Sequence, residues 1–172
     1  MLRASPSLQS SYGRQFMKAI ADVELLCNCV AALVTPDLYS LGLEAISMVK
    51  DGVEMAEIYK NVDGWPSIYT AMQVIMNRVT PLHRDIGGCP THYDLLVSAG
   101  THSDTVLGIK ELGLSLCYSP GTLVSLCGKI FFHEVPQWTG ERICVAHFIK
   151  DKVHERLHLK RPEWPKMSDY LI

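Results

Sequence analysis

The sequence predicts an α+β fold that is mainly β: seven or eight short strands forming a sandwich or barrel, with two helices on one side. Three observations predict it. Apolar residues recur at three- and four-residue steps as far as about residue 50. From Asp63 onward the chain breaks into short β-type runs separated by Gly, Pro, Ser and Asp. The length, 172 residues with 48% hydrophobic and 20% charged, suits one domain with a core of its own.

The two helices come first, at about residues 14–50. Phe16, Ile20, Val23, Cys27, Val30 and Val34 make one apolar stripe. Thr35 is placed to cap the second helix, Pro36 suits its first turn, and Asp37 favours its positive end. Leu38, Leu41, Ala45 and Met48 form its stripe, with Gly52 placed to end it. Neither helix carries a chemical signature, so both read as buttresses. After the turn at Asp63–Ser67, strands are expected at Ile68–Val79, Tyr93–Ala99, Thr105–Lys110, Leu114–Tyr118, Thr122–Cys127, Ile130–Val135 and Arg142–Ile149. His83–Thr91, with Gly87, Gly88 and Pro90, must be loop, Pro120-Gly121 is a turn signal, and Gly128 is a candidate bulge. A basic helix over Asp151–Leu159 opens the tail, residues 151–172. No repeat or linker marks a boundary, so the expectation is a single domain over 1–172 with a β core at about 65–150.

A net charge of −2 gives no global field for a polyanion, so nucleic-acid binding needs a local basic patch. Six cysteines without a C-x-x-C pair, most of them inside apolar runs, read as reduced buried thiols and an intracellular compartment. No apolar run approaches the roughly 18 residues of a membrane span, so no membrane association is expected. Arg3, Arg14 and Lys18 precede the first acidic residue, Asp22, a composition shared with mitochondrial transit peptides. A frayed terminus ahead of the first helix is the preferred reading.

The chemistry concentrates in Asn-Arg-Val-Thr-Pro-Leu-His-Arg-Asp, residues 77–85. In an extended chain His83 and Asp85 lie on the same face, so an imidazole and a carboxylate aim at one spot. His133 is the best third ligand. Two His and one carboxylate make the facial triad of non-haem Fe(II) oxygenases. Arg142, nine residues further on, could grip a carboxylate bidentately, as a 2-oxoacid cosubstrate requires. His-Arg-Asp also opens the catalytic loop of protein kinases, but that loop needs an Asn five residues past the Asp, where this chain has Pro90. Without Asp-Phe-Gly or a glycine-rich phosphate loop, a kinase is excluded.

The order His83-x-Asp85, Pro-Gly turn, His133, Arg142 resembles the Fe(II)/2-oxoglutarate dioxygenase superfamily. The run Tyr-Ser-Pro-Gly-Thr-Leu-Val-Ser-Leu-Cys-Gly-Lys-Ile-Phe-Phe-His-Glu-Val, residues 118–135, is similar to the segment that delivers the second histidine there. Residues 77–85 and Gly-Glu-Arg-Ile-Cys-Val-Ala-His-Phe, residues 140–148, look like the TET/JBP branch, nearest its small fungal members. The resemblance spans about Trp65 to Leu159 and implies a double-stranded β-helix (jelly-roll) with N-terminal buttressing helices. It also implies Fe(II) held by His83, Asp85 and His133, with 2-oxoglutarate chelating through its keto oxygen and C1 carboxylate. Arg142 then pairs with the distal carboxylate, and dioxygen fills the remaining site. The implied reaction is oxidation of a methylated base in DNA, 5-methylcytosine first and N6-methyladenine second, hence DNA demethylation and a nuclear location. Hydroxylation of a small molecule or a protein side chain is the alternative.

Further site residues stay open. Asn77 shares the parity of His83 and Asp85; its amide could contact 2-oxoglutarate or a base, or cap the Pro81 turn. Phe148 shares the face of Arg142, Cys144 and Ala146, so it is either a stacking platform for a flipped base or core. His147 falls on the other face. Animal TET enzymes carry an Asn at the position of Gly88 that helps to read cytosine, and a His at the position of Lys150, so base selectivity is where this chain departs. His92 and His102 read as surface or turn histidines. His154 and His158, with Lys150, Lys152, Arg156, Lys160 and Arg161, form a basic cluster open to phosphate or simply solvated.

Overall fold

The computed structural model describes residues 5–51, 62 and 64–170. They fall into two compact units: one from residues up to Thr70 together with those from Lys152, the other Ala71–Asp151.

Helices α1 (Pro6–Gln9), α2 (Ser11–Ala19), α3 (Ala21–Val34) and α4 (Pro36–Asp51) belong to the first unit. Instead of a frayed start, the Ser5 and Ser10 hydroxyls accept from Leu8 and Gly13 N–H and begin two short helices. The buried positions of α2 and α3 are Met17, Glu24, Cys27 and Ala31, while Phe16, Val23 and Val34 of the expected stripe are exposed. The reason is local. A break at Ile20 resets the helix phase, and α3 is apolar almost all round, so periodicity cannot single out a face. The small side chains of Cys27 and Ala31 are the ones that admit close packing. In α4, Leu38, Leu41 and Ala45 are buried as expected, but Val49 takes the place of Met48. Thr35 begins α4 at its carbonyl, which accepts from Tyr39 N–H, whereas its hydroxyl donates back to Ala31 of α3. Gly52 lies outside the described residues. The Asn28 side chain ties the 66–68 segment to α3, donating to the Pro66 carbonyl and accepting from Ile68 N–H.

The second unit holds eight strands: β1 Ala71–Met76, β2 Thr80–His83, β3 Asp94–Gly100, β4 Val106–Ile109, β5 Leu114–Cys117, β6 Leu123–Leu126, β7 His133–Val135 and β8 Arg142–Phe148. They pair antiparallel in two four-stranded sheets, ordered β1-β8-β3-β6 and β2-β7-β4-β5. This is the eight-stranded jelly-roll arrangement. Leu107, Ile109, Tyr118, Leu126 and Val135 form a core cluster fed from both sheets, with Leu96, Leu116, Val124 and Phe131 packed against it. Burying one such leucine or isoleucine stabilises by about 1.5–3 kcal/mol, so this cluster sets the sheets' register.

His83, expected at the start of a loop, instead ends β2, and two strands are markedly shorter than the sequence suggested. The expected Ile68–Val79 run narrows to β1 because Asn77 sits at φ 45°, ending the pleat ahead of β2. The expected Ile130–Val135 strand begins only at His133, since Ile130 and Phe131 N–H both bond the Cys127 carbonyl in a tight turn. Gly128 lies in that turn and is not a ladder bulge. At the end of β8 the chain enters α5, Asp151–Arg156, which is shorter than the Asp151–Leu159 helix expected.

Candidate functional site

His83 is the last residue of β2 and His133 the first of β7, and the two are directly opposed in the ladder. Their ring centroids are 4.3 Å apart. Each Nδ1–H donates to a carbonyl two residues earlier, that of Pro81 at 2.8 Å and that of Phe131 at 3.1 Å. That bond fixes the tautomer and leaves the Nε2 lone pair free to ligate. Both lone pairs face Asp85: Nε2 of His83 is 3.6 Å from one carboxylate oxygen and Nε2 of His133 is 3.8 Å from the other. The three ligand atoms lie within 4.8 Å of one another, and so could hold a divalent metal. His133 is 7% exposed, against 39% for His83 and 48% for Asp85, so the cluster opens on one side.

Asp85 stands just past β2, where the ladder no longer positions it. Its N–H donates to the Gly128 carbonyl at 2.9 Å. A Cβ on Gly128 would overlap Asp85 Oδ2 and come within 2.8 Å of Asp94 Oδ2. Glycine is therefore required beside the carboxylate by close approach, a role that sequence reading missed because it treated Gly128 as a strand feature. Asp94, opening β3, was missed as well. Burial, then the Asp85 charge, push its carboxyl up to about 8, against a backbone hydrogen bond from Gly128.

Arg142 is 2% exposed. Its Nη1 donates to the Arg78 carbonyl at 3.1 Å and its guanidinium carbon lies 5.6 Å from the Trp138 ring centroid. Its buried Nε has no hydrogen-bond partner and no carboxylate pairs with it among the described residues. Thr80, two residues beyond Arg78, likewise has a buried hydroxyl without a partner among the described residues. A buried guanidinium without an anionic partner is costly, and an anionic ligand would offset that cost. Gly100 is the register partner of Arg142 and sits at φ 109°, where a side chain would meet the Glu141 carbonyl. Behind Arg142, the Ser98 hydroxyl contacts His102 Nε2 at 2.9 Å, and Thr105 takes the other ring nitrogen at 2.6 Å. Burial and the Arg142 charge hold His102 below its ordinary pKa. The buried Tyr118 hydroxyl meets Cys144 Sγ at 3.5 Å, with both groups' pKa values raised by burial.

The other expected residues are placed as follows. Asn77 does not project from a regular strand. Its Oδ1 accepts from Arg142 N–H at 2.8 Å and its Nδ2 donates to the Glu141 carboxylate, so the amide is committed to the start of β8. Phe148 shares the face of Arg142 as expected and is half-buried, paired with Ala71. His147, on the opposite face, bonds the Leu95 carbonyl. Gly88 lies in the loop after Asp85 with room for a side chain, its nearest neighbour being Lys129 Cβ at 3.7 Å. Lys150 is exposed. His92 and His102, read as surface or turn histidines, are buried, and so is His154 of the expected basic cluster, which sits in α5. Arg161 of the tail pairs with Glu155, which leaves the basic cluster smaller than its composition suggests.

Residues 7–151 match the Tet_JBP family, described as the oxygenase domain of the 2OGFeDO superfamily. No curated protein sequence is a match. Among solved structures, NgTET1 in complex with 5mC DNA superposes with a TM-score of 0.64 at 13% identity, covering 87% of this chain and 55% of that one. The chain thus spans about half the length of that structure. A Cupin 2 conserved barrel domain protein from Salinispora arenicola CNS-205 gives a TM-score of 0.36 at 15% identity, over 55% of this chain and 76% of that one. With the family match running through the helices and all eight strands, and the two sheets folded as in NgTET1, the chain belongs to the Tet_JBP family of 2OGFeDO oxygenase domains.

Proposed function

We propose that the chain is an Fe(II)- and 2-oxoglutarate-dependent dioxygenase that oxidises a methylated base in DNA, 5-methylcytosine in the first place and N6-methyladenine in the second. One observation carries the reading: His83, Asp85 and His133 converge within the same unit as a buried Arg142 that lacks an anionic partner among the described residues. The family match covers parts of both compact units, which supports treating 1–172 as one dioxygenase domain.

Nε2 of His83, Nε2 of His133 and the Asp85 carboxylate would hold Fe(II), and the Pro81 and Phe131 carbonyls keep both rings in the ligating tautomer. Arg142 would grip the distal carboxylate of 2-oxoglutarate, with Thr80 offering a further hydroxyl. Iron and 2-oxoglutarate together supply dioxygen activation, with carbon dioxide and succinate as coproducts. The chain's own tasks are ligand geometry, cosubstrate orientation and a dry wall behind Arg142, which Tyr118 and Cys144 provide.

The DNA reading draws on the family and on the 5mC DNA in the NgTET1 complex. Cations beside the His83, Asp85 and His133 cluster support it, Arg84 and Lys110 exposed and Lys129 half-buried. The Arg84 guanidinium lies 4.3 Å from the Phe132 ring centroid, Lys110 is 5.7 Å from the same centroid, and Lys129 Nζ caps the Ile86 carbonyl. Such a rim suits phosphate contact, with Phe148 as the stacking surface for the base and Lys150 as a further cation. Gly88, lacking a hydrogen-bonding side chain, gives looser base reading. A DNA substrate implies a nuclear location.

Anaerobic reconstitution with Fe(II), then exposure to 2-oxoglutarate, air and methylated oligonucleotides, tests the reading by mass spectrometry of succinate and base. Oxidised base is the expected result. Succinate formation that no oligonucleotide stimulates, with every base intact, would leave the iron chemistry standing and transfer the substrate to a small molecule or protein side chain.

A further inference from the structure

A second cluster of ligating side chains lies in the loop that follows Asp85. Cys89 accepts at its carbonyl from His92 N–H, 3.1 Å, closing a four-residue turn with Pro90 at its favoured second position. That turn brings the Cys89 and His92 side chains together. Asp151, the first residue of α5, completes the group, the three ligand atoms lying within 4.8 Å of one another. Cys89 is 4% exposed and His92 2%, and Asp151 is half-buried. The turn is pinned from outside the cluster, because Cys127 Sγ donates to the Pro90 carbonyl at 2.8 Å.

We propose that Cys89, His92 and Asp151 bind a zinc ion, at a site separate from His83, Asp85 and His133. Thiolate, imidazole and carboxylate are the three ligand types zinc accepts, with water suited to the fourth position. The charges also balance: one thiolate and one carboxylate neutralise a dication, so the buried site carries no net charge. Sulfur and nitrogen ligands stand roughly 3.5 Å apart around tetrahedral zinc, given bonds of about 2.3 and 2.0 Å. Binding therefore draws the side chains inward by roughly an ångström or less, within rotamer adjustment. A nucleophilic Cys–His–Asp triad is disfavoured by the burial of Cys89, which leaves a substrate no approach. The zinc would join the Asp85–His92 loop, which carries Gly88, to the residue three past Phe148. Its effect would be to fix the substrate wall of the active site, and the ligation itself does not depend on the iron reading.

The full chain is compared with a His83→Ala/Asp85→Ala variant, which lacks the iron ligands, so that zinc at the first site is not counted. This variant should retain about one zinc per chain by elemental analysis, and Cys89→Ala added to it should reduce that to background. Cobalt(II) loading should give a thiolate-to-cobalt charge-transfer band that disappears with Cys89. Asp151→Asn, which leaves the turn untouched, should keep the band and weaken zinc binding by about tenfold or more. Absence of both zinc and band from the His83/Asp85 variant, or their survival after Cys89→Ala, overturns the proposal. Should Cys89→Ala fail to fold, Asp151→Asn decides, and an unchanged zinc affinity there removes the site.

Discussion

His83 and His133 face each other across β2 and β7, and both rings present Nε2 to opposite oxygens of one carboxylate, Asp85, at 3.6 and 3.8 Å. Neighbouring strands supply the histidines, and the turn at Gly128 supplies the position of the carboxylate. Removing a ligand should therefore remove metal without removing the fold. His83→Ala should abolish Fe(II)-dependent turnover while shifting stability by no more than about 0.5 kcal/mol, since the side chain is 39% exposed. Iron titration beside thermal unfolding checks this, and retained stoichiometric iron would exclude His83 as a ligand.

Gly128→Ala should damage the same site without touching a ligand. The added methyl overlaps Asp85 Oδ2, so the carboxylate must swing away from the two imidazoles. Iron affinity should fall by about 10–100-fold, the range typical of lost support around a metal site. Wild-type iron affinity in this variant would mean that Asp85 has an equivalent second position.

Arg142→Met should raise the apparent dissociation constant for 2-oxoglutarate by roughly 10- to 150-fold, the equivalent of a hydrogen bond to a charged group at about 1.5–3 kcal/mol. Iron affinity should barely move. Arg142→Lys should recover only part of the loss, because the ammonium lacks the planar fork. Unchanged dependence on 2-oxoglutarate in the Met variant would take Arg142 out of the cosubstrate site.

In the metal-free chain, Asp94 should make stability depend on pH. Its carboxyl is raised from 3.8 to about 8, so between those values the folded chain holds a proton that the unfolded chain has released. Unfolding free energy then falls as pH rises through that window and levels off above it. Asp94→Asn should flatten the slope and leave the variant the more stable of the two at pH 8. Parallel denaturation profiles across this range would show that Asp94 ionises normally.

Phe148→Ala should impair oxidation of the base more than the substrate-independent consumption of 2-oxoglutarate. Stacking of a base on an aromatic ring contributes about 1–3 kcal/mol, so the loss in base oxidation should be roughly 5- to 150-fold. Equal losses in both reactions would assign Phe148 to core packing.

Much of this was legible in the residues themselves. That His83, Asp85 and His133 come together was foreseeable because ligand chemistry restricts the residue types, and the burial of Arg142 because it begins an apolar run. The existence of seven of the eight strands was legible too, since alternation and turn residues are local signals. Only the tertiary structure decided the rest. Asn77 shared the right parity on paper, but a positive φ ended its strand and turned its amide onto Arg142 and Glu141. Gly128 and Asp94 stood apart from the motif in sequence and meet Asp85 only because the Cys127 turn and the start of β3 converge on it. Helix α3 offered apolar residues on nearly every side, so packing alone could choose Cys27 and Ala31 over Val23 and Val34. Residue chemistry and short-range periodicity are written along the chain. Which side chains meet across strands distant in sequence is set by how the sheets close over their common core.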